Sequence, residues 1–126
     1  MIEVGRYAAF GSCFDVVADE PLASELIGSL GDLRVARDAP AGEVHRLSAR
    51  RRDGDWTVSW DDNARYNGPE IDLALYDALI AVNVHAASVA VAAGYAVLHG
   101  GAVAIDGRAV ALVGHSGTGR GWLIAC

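Results

Sequence analysis

One stretch of this 126-residue chain has residue types and spacing suited to binding an anion. It is Gly114-His-Ser-Gly-Thr-Gly119, followed by Arg120 and Gly121. It comes after an apolar, strand-like run, Ala109-Val-Ala-Leu-Val113, and before an apolar, helix-compatible Trp122-Leu-Ile-Ala. Glycines let backbone N–H groups turn inward around an anion, and a following helix N-terminus adds partial positive charge. A working phosphate loop of this type then needs Lys, to reach the terminal phosphates, and Ser or Thr, to hold Mg²⁺. Here Arg120 and Gly121 occupy those places. Arg keeps the charge but is a planar fork rather than a compact ammonium. Gly121 offers no hydroxyl to a metal. The pattern therefore predicts anion binding by the backbone, with phosphoryl transfer impaired. A glycine-rich strand-to-helix turn without a ligand is the alternative.

The elements that would position this loop are legible in outline. Arg6 to Ala18 mixes aromatic and β-branched residues around Gly11 and predicts one or two short strands. Pro21 to Leu30 follows two acidic residues and places Leu22, Leu26, Ile27 and Leu30 on one helical face, with Gly31 as a stop. Asp38 to Gly42 is a loop. Val44–Arg52 and Trp56–Trp60 flank Asp53-Gly54, the dipeptide of a tight hairpin. Trp56 and Trp60 share a face at period two and are expected to pack on the sheet; Arg50 to Arg52 read as a solvated strand end. Asp61 to Gly68 is polar and turn-rich. Ile71, Leu75, Leu79, Val82, Ala86, Val89 and Ala93 recur every three or four residues, predicting a helix near 70–93, buried on most sides and stopped by Gly94. Asn83 and His85 within it are expected to be hydrogen-bonded at the helix surface. Beyond it, Tyr95–Leu98, Ala102–Ile105 and Ala109–Val113 are strand-like, the last two joined by Asp106-Gly107. The expected fold is α/β with an α+β N-terminal part: a small mixed sheet and long helix, then a β-hairpin leading into the loop. The expected division is 1–68 and 69–126.

The run from Leu98 through His99-Gly-Gly, the hairpin and Gly114-His-Ser-Gly-Thr-Gly119 resembles the HPr kinase/phosphorylase-like family, whose broad kin include phosphoenolpyruvate carboxykinase-type P-loop proteins. Asn83-Val-His-Ala-Ala87 and Ala93-Gly-Tyr95 add to the resemblance, which covers roughly residues 70–120. It implies an ATP-dependent kinase, with Mg²⁺, that phosphorylates a serine hydroxyl on a protein or peptide. Gly114, Ser116, Gly117, Thr118 and Gly119 match that family's phosphate cradle, and Arg120 stands where its lysine belongs. His99, 21 positions before Arg120, matches the histidine beside the transferred phosphate and is the one catalytic candidate. The family's aspartates for metal and general base lie on strands after the loop, where this sequence has only Gly121 to Cys126. The resemblance thus implies an incomplete P-loop kinase-like domain, as in a remnant, a truncated product or part of a longer chain. A non-catalytic peptide- or protein-binding module with a vestigial loop is the competing expectation, and phosphate or pyrophosphate binding without transfer a third.

Composition narrows the partners. All ten basic residues are arginine, against 16 acidic ones, for a net charge of −6. With no lysine there is no lysine Schiff base, and the acidic balance argues against a nucleic-acid partner. Cys13 and Cys126 make neither a disulfide framework nor a zinc site; no resident metal site is expected. The N-terminus lacks the pattern of a signal peptide. The most apolar stretch, Ala78 to Ala93, is interrupted by Asn83, His85 and Ser88 and is shorter than the roughly 20 residues that cross a bilayer. A cytoplasmic protein without membrane contact is expected. Apolar surface on the last strand and the long helix is expected to drive homo-oligomer formation or partner binding.

Overall fold

The computed structural model describes residues 1–38, 42–98 and 100–113. They form a mixed α+β structure in two compact units that divide after Gly94.

In the first unit, β1 (Ile2–Ala9) and β2 (Ser12–Ala18) form a hairpin turned by Phe10 and Gly11, both at positive φ. The sequence predicts one or two strands here, and there are two. Helix α1 (Leu22–Leu30) follows. The Glu20 carboxylate caps it, accepting hydrogen bonds from the Ser24 amide (3.3 Å) and hydroxyl (2.8 Å) and placing negative charge where the helix dipole favours it. Leu22, Ala23, Leu26 and Leu30 are its buried side; Ile27, expected on that face, is exposed. A 3₁₀ turn (Gly31–Leu33) leads into the two-residue β3 (Arg34–Val35).

The predicted hairpin is present as β4 (Val44–Arg52) and β5 (Asp55–Trp60), turned at Asp53-Gly54 with φ of 52° and 88°. Positive φ at both positions is what this turn requires, and glycine supplies the second at no steric cost. A further strand, β6 (Asn63–Gly68), runs where the sequence reads only as a polar, turn-rich stretch. It lies at the sheet edge and carries Tyr66 against the core, so the alternation that usually marks a strand is nearly absent. The sheet order is β3-β1-β2-β4-β5-β6. All pairs are antiparallel except β2 and β4, whose parallel pairing needs the crossover that α1 and β3 provide.

The long helix α2 (Ile71–Ala92) packs on this sheet, so the unit extends past residue 68. Tyr7, Phe14, Val16, Leu22, Leu26, Leu47, Trp56, Val58, Ala74, Ala78 and Val82 form one core. The expectation that α2 is buried on most sides fails. A single stripe is buried, Ala74, Ala78, Ala81, Val82, Ala86 and Ala90, while Leu73, Tyr76, Val84 and Val91 are exposed. Of the residues that set the sequence period, Val82 and Ala86 lie in this stripe while Ile71, Leu75 and Leu79 are only partly buried beside it, and alanines dominate the stripe because small side chains let a helix approach a sheet closely. With 22 residues, α2 is also long and apolar enough to cross a bilayer, a test that core helices pass as well.

In the second unit, β7 (Gly100–Ile105) and β8 (Arg108–Val113) form the expected antiparallel hairpin around Asp106-Gly107. Its open end is tight: a Cβ on Gly100 would lie 2.4 Å from the Leu112 carbonyl oxygen. Tyr95–Leu98, read as strand-like, is not a strand.

Candidate functional site

The residues singled out from sequence, His99 and Gly114, Ser116, Gly117, Thr118, Gly119, Arg120 and Gly121, lie outside the described residues. What the structure describes is the approach to them: β8 ends at Val113, the residue before Gly114.

Within the first unit the structure assembles a cluster that no motif in the sequence announces. The Asp53-Gly54 turn sets Leu47 opposite Trp60. Continuing that register brings Arg46 level with Asp61, where the Asp61 amide donates to the Arg46 carbonyl at 2.9 Å. Asp61 and Asp62 form the turn into β6, both at positive φ, a conformation Asp tolerates better than most residues. The Asp61 carboxylate accepts the Arg46 amide at Oδ1 (2.9 Å) and meets His45 Nδ1 at Oδ2 (2.5 Å). Burial opposes the charge on Asp61, but the hydrogen bonds from His45 and from the Arg46 backbone, with the neighbouring imidazoles, hold its pKa below the ordinary carboxylate value. An ionised carboxylate can only accept, so the Nδ1 of His45 carries the proton. Its Nε2 is then free of that bond, with the Glu43 carboxylate 3.8 Å away.

The rings complete the arrangement. Trp60 stacks on His45 with centroids 5.8 Å apart, and also packs on Phe14. His85, on α2, meets His45 edge-on at 4.1 Å and Trp60 at 5.0 Å. The expectation that His85 is hydrogen-bonded at the helix surface is not met: its Nε2 is buried and has no hydrogen-bond partner. Desolvation, then repulsion from His45, pushes its pKa below the ordinary imidazole value, against weaker attraction from Asp61 and Glu43. The Oγ of Ser12, on β2, is likewise buried without a partner. Asn83 is exposed.

A carboxylate-oriented imidazole is an arrangement suited to holding or moving a proton. Among the described residues no group of three His, Cys, Asp or Glu side chains is placed to hold a metal ion. Trp56 and Trp60 pack as expected, and the Arg51 guanidinium lies over the Trp56 ring at 5.7 Å.

At the opposite side of the sheet, a groove of about 290 Å³ is lined by Glu3, Arg6, Arg34 and Arg37 with intervening backbone. Two of its three guanidinium groups are matched by carboxylates: Arg6 grips Asp15 at 2.7 and 2.9 Å, and Arg37 pairs with Glu3. This neutralisation makes the groove a poor anion site despite its arginines.

Comparisons with family models, with curated proteins and with solved structures found no match for this chain.

Proposed function

We propose that this chain is an ATP- or phosphate-binding protein of the HPr-kinase-like class, impaired in phosphoryl transfer. The observation that carries the reading is the order strand, glycine loop, apolar segment: β8 delivers the chain at Val113 directly to Gly114-His-Ser-Gly-Thr-Gly119. In this reading the backbone amides of Gly114 to Gly119 cradle phosphate oxygens, Arg120 supplies the positive charge, and His99 lies beside the terminal phosphate. Mg²⁺, if it accompanies the nucleotide, is held by phosphate oxygens and water, because Gly121 has no hydroxyl to offer. The substrate class that goes with it is a serine-bearing protein or peptide. A P-loop kinase-like fold around the β7–β8 hairpin and the glycine-rich stretch that follows it belongs to the same proposal.

Titration calorimetry with Mg-ATP tests it. Binding at millimolar affinity or tighter, lost in Gly119→Val, is the expected result. Absence of heat under the same conditions overturns the reading. Incubation with γ-labelled ATP and a serine peptide is expected to transfer no label, since the residues that would complete the reaction are replaced.

A second reading is a non-catalytic peptide- or protein-binding module with a vestigial loop. It is favoured by one observation: Met1–Gly94 is a compact unit with its own hydrophobic core. It predicts no nucleotide heat and a partner captured by that unit alone.

A further inference from the structure

We propose that the contact between His45 and His85 is a proton-operated latch: protonation of His85 releases the C-terminal half of α2, residues 83–92, from the sheet while the N-terminal half stays docked.

The two halves of α2 are held differently. Ala74, Ala78 and Val82 belong to the main core, with Ile71, Leu75 and Leu79 packed against it. Beyond Val82 the buried residues are Ala86 and Ala90, which stand outside that core. Alanine contributes little apolar area, so this half is docked weakly. Val89 lies close to Gly11, within 3.5 Å of where a Cβ on that residue would stand. His85 is at the junction between the halves, and its ring meets the sheet through His45 and Trp60.

That junction tolerates a neutral imidazole and penalises a charged one. The buried Nε2 has no acceptor to which a new N–H could donate, and a buried unsatisfied donor carrying charge is costly. Three titratable groups act on His85 from the facing segments: His45 on β4, Asp61 in the turn after β5, and Glu43 just before β4. Asp61 is already committed to His45 and the Arg46 amide. Glu43 is solvent-exposed, so its attraction is screened. No group on β2 or α1 acts on it. Among the described residues these attractions do not outweigh the cost of a proton on His85 in the docked state, whereas in the released state water solvates it.

The sign follows. The docked pKa lies below the ordinary value of 6.5, so docking is fully stabilised above that pH. Stability is lost as the pH falls from there towards the docked value, and the loss levels off below it. Each unit by which the docked value is depressed is a factor of about ten in the release equilibrium.

Amide hydrogen exchange on the intact protein, corrected for intrinsic rates, tests the latch between about pH 7.5 and about pH 5. Protection in residues 83–92 is expected to be lower at the acid pH while residues 71–82 keep theirs. In His85→Gln, which keeps a polar side chain but cannot titrate, the difference between the two pH values disappears. Equal loss along the whole helix, no loss, or an undiminished loss in His85→Gln overturns the proposal. Should the variant not fold, NMR titration of the His85 ring in the unaltered chain decides: a pKa at or above about 6.5 overturns it, and one below supports it.

Discussion

His45 Nδ1 lies 2.5 Å from Oδ2 of Asp61, a residue 16 positions further along the chain, and the other oxygen of the same carboxylate accepts the Arg46 amide. One side chain thus fixes an imidazole and ties the end of β4 to the turn after β5. The carboxylate is less an independent charge than the closing bond of the β4–β5 ladder.

Asp61→Asn separates those two roles. Asn tolerates the positive φ of 49° at this turn, so the backbone is preserved. The charge-assisted bond to His45 is lost. Because Asp61 is about two-fifths exposed, solvent screening discounts the loss, and a destabilisation of about 1 kcal/mol is expected. Urea denaturation at neutral pH measures it. A change below a few tenths of a kcal/mol would show that the carboxylate contributes little to the fold.

Acid sensitivity has a second source in Asp15. Hydrogen bonding by Arg6, reinforced by its charge, holds the Asp15 carboxyl below its ordinary value of 3.8 despite partial burial. A depressed carboxylate stabilises the fold above its unfolded pKa, and that contribution is lost as the pH falls from about 3.8 through the folded value. Asp15→Asn should therefore lower stability at neutral pH and flatten its decline in that window. Thermal unfolding followed across the acid range is the measurement; an unchanged slope below pH 4 would contradict the assignment.

How much of this was readable beforehand divides along physical lines. Short-range turn chemistry was legible: Asp53-Gly54 and Asp106-Gly107 each specify a two-residue hairpin because few other dipeptides accept positive φ twice. The long helix was legible from its period and from Gly94. Its buried face was legible only in part, at Val82 and Ala86, because the period otherwise follows large side chains while the contact is also made by Ala74, Ala78, Ala81 and Ala90. The strand Asn63–Gly68 was hidden because an edge strand needs few apolar residues. The His45–Asp61–His85 cluster carries no local motif; it arises from register and from the docking of a helix. One signal could have found half of it. The turn at Asp53-Gly54 fixes Leu47 against Trp60, and one further step along both strands brings Asp61 opposite Arg46, the neighbour of His45 on β4.

The alanine stripe makes its own prediction. Ala78 is fully buried at the centre of α2 where the helix meets the sheet. Ala78→Leu keeps helix propensity but adds volume that the interface has no room for, and is expected to cost about 1–3 kcal/mol. Leu26→Ala, a cavity on α1 in the same core, is expected to cost about 2–5 kcal/mol. Chemical denaturation compares them. A neutral Ala78→Leu would mean that α2 does not approach the sheet as closely as its alanines imply.

The hairpin β7–β8 should be sensitive to a side chain at Gly100. An added Cβ there would meet the Leu112 carbonyl oxygen at 2.4 Å, a backbone atom that can move only if the strands separate. Gly100 pairs with Val113, the last strand residue before Gly114, so the strain falls on the end of the hairpin that feeds the glycine loop. In Gly100→Ala, amide exchange at Gly101, Leu112 and Val113 is expected to quicken, while amides beside the Asp106-Gly107 turn keep their wild-type rates because that end of the ladder is untouched. Ala102→Gly, which removes a side chain instead of adding one, should leave the open end intact. If Gly100→Ala exchanges like wild type along both strands, the close approach at the open end is not a constraint on the hairpin. If it does open that end, weaker Mg-ATP heat in the same variant would tie the hairpin to the proposed cradle, and unchanged heat would separate the two.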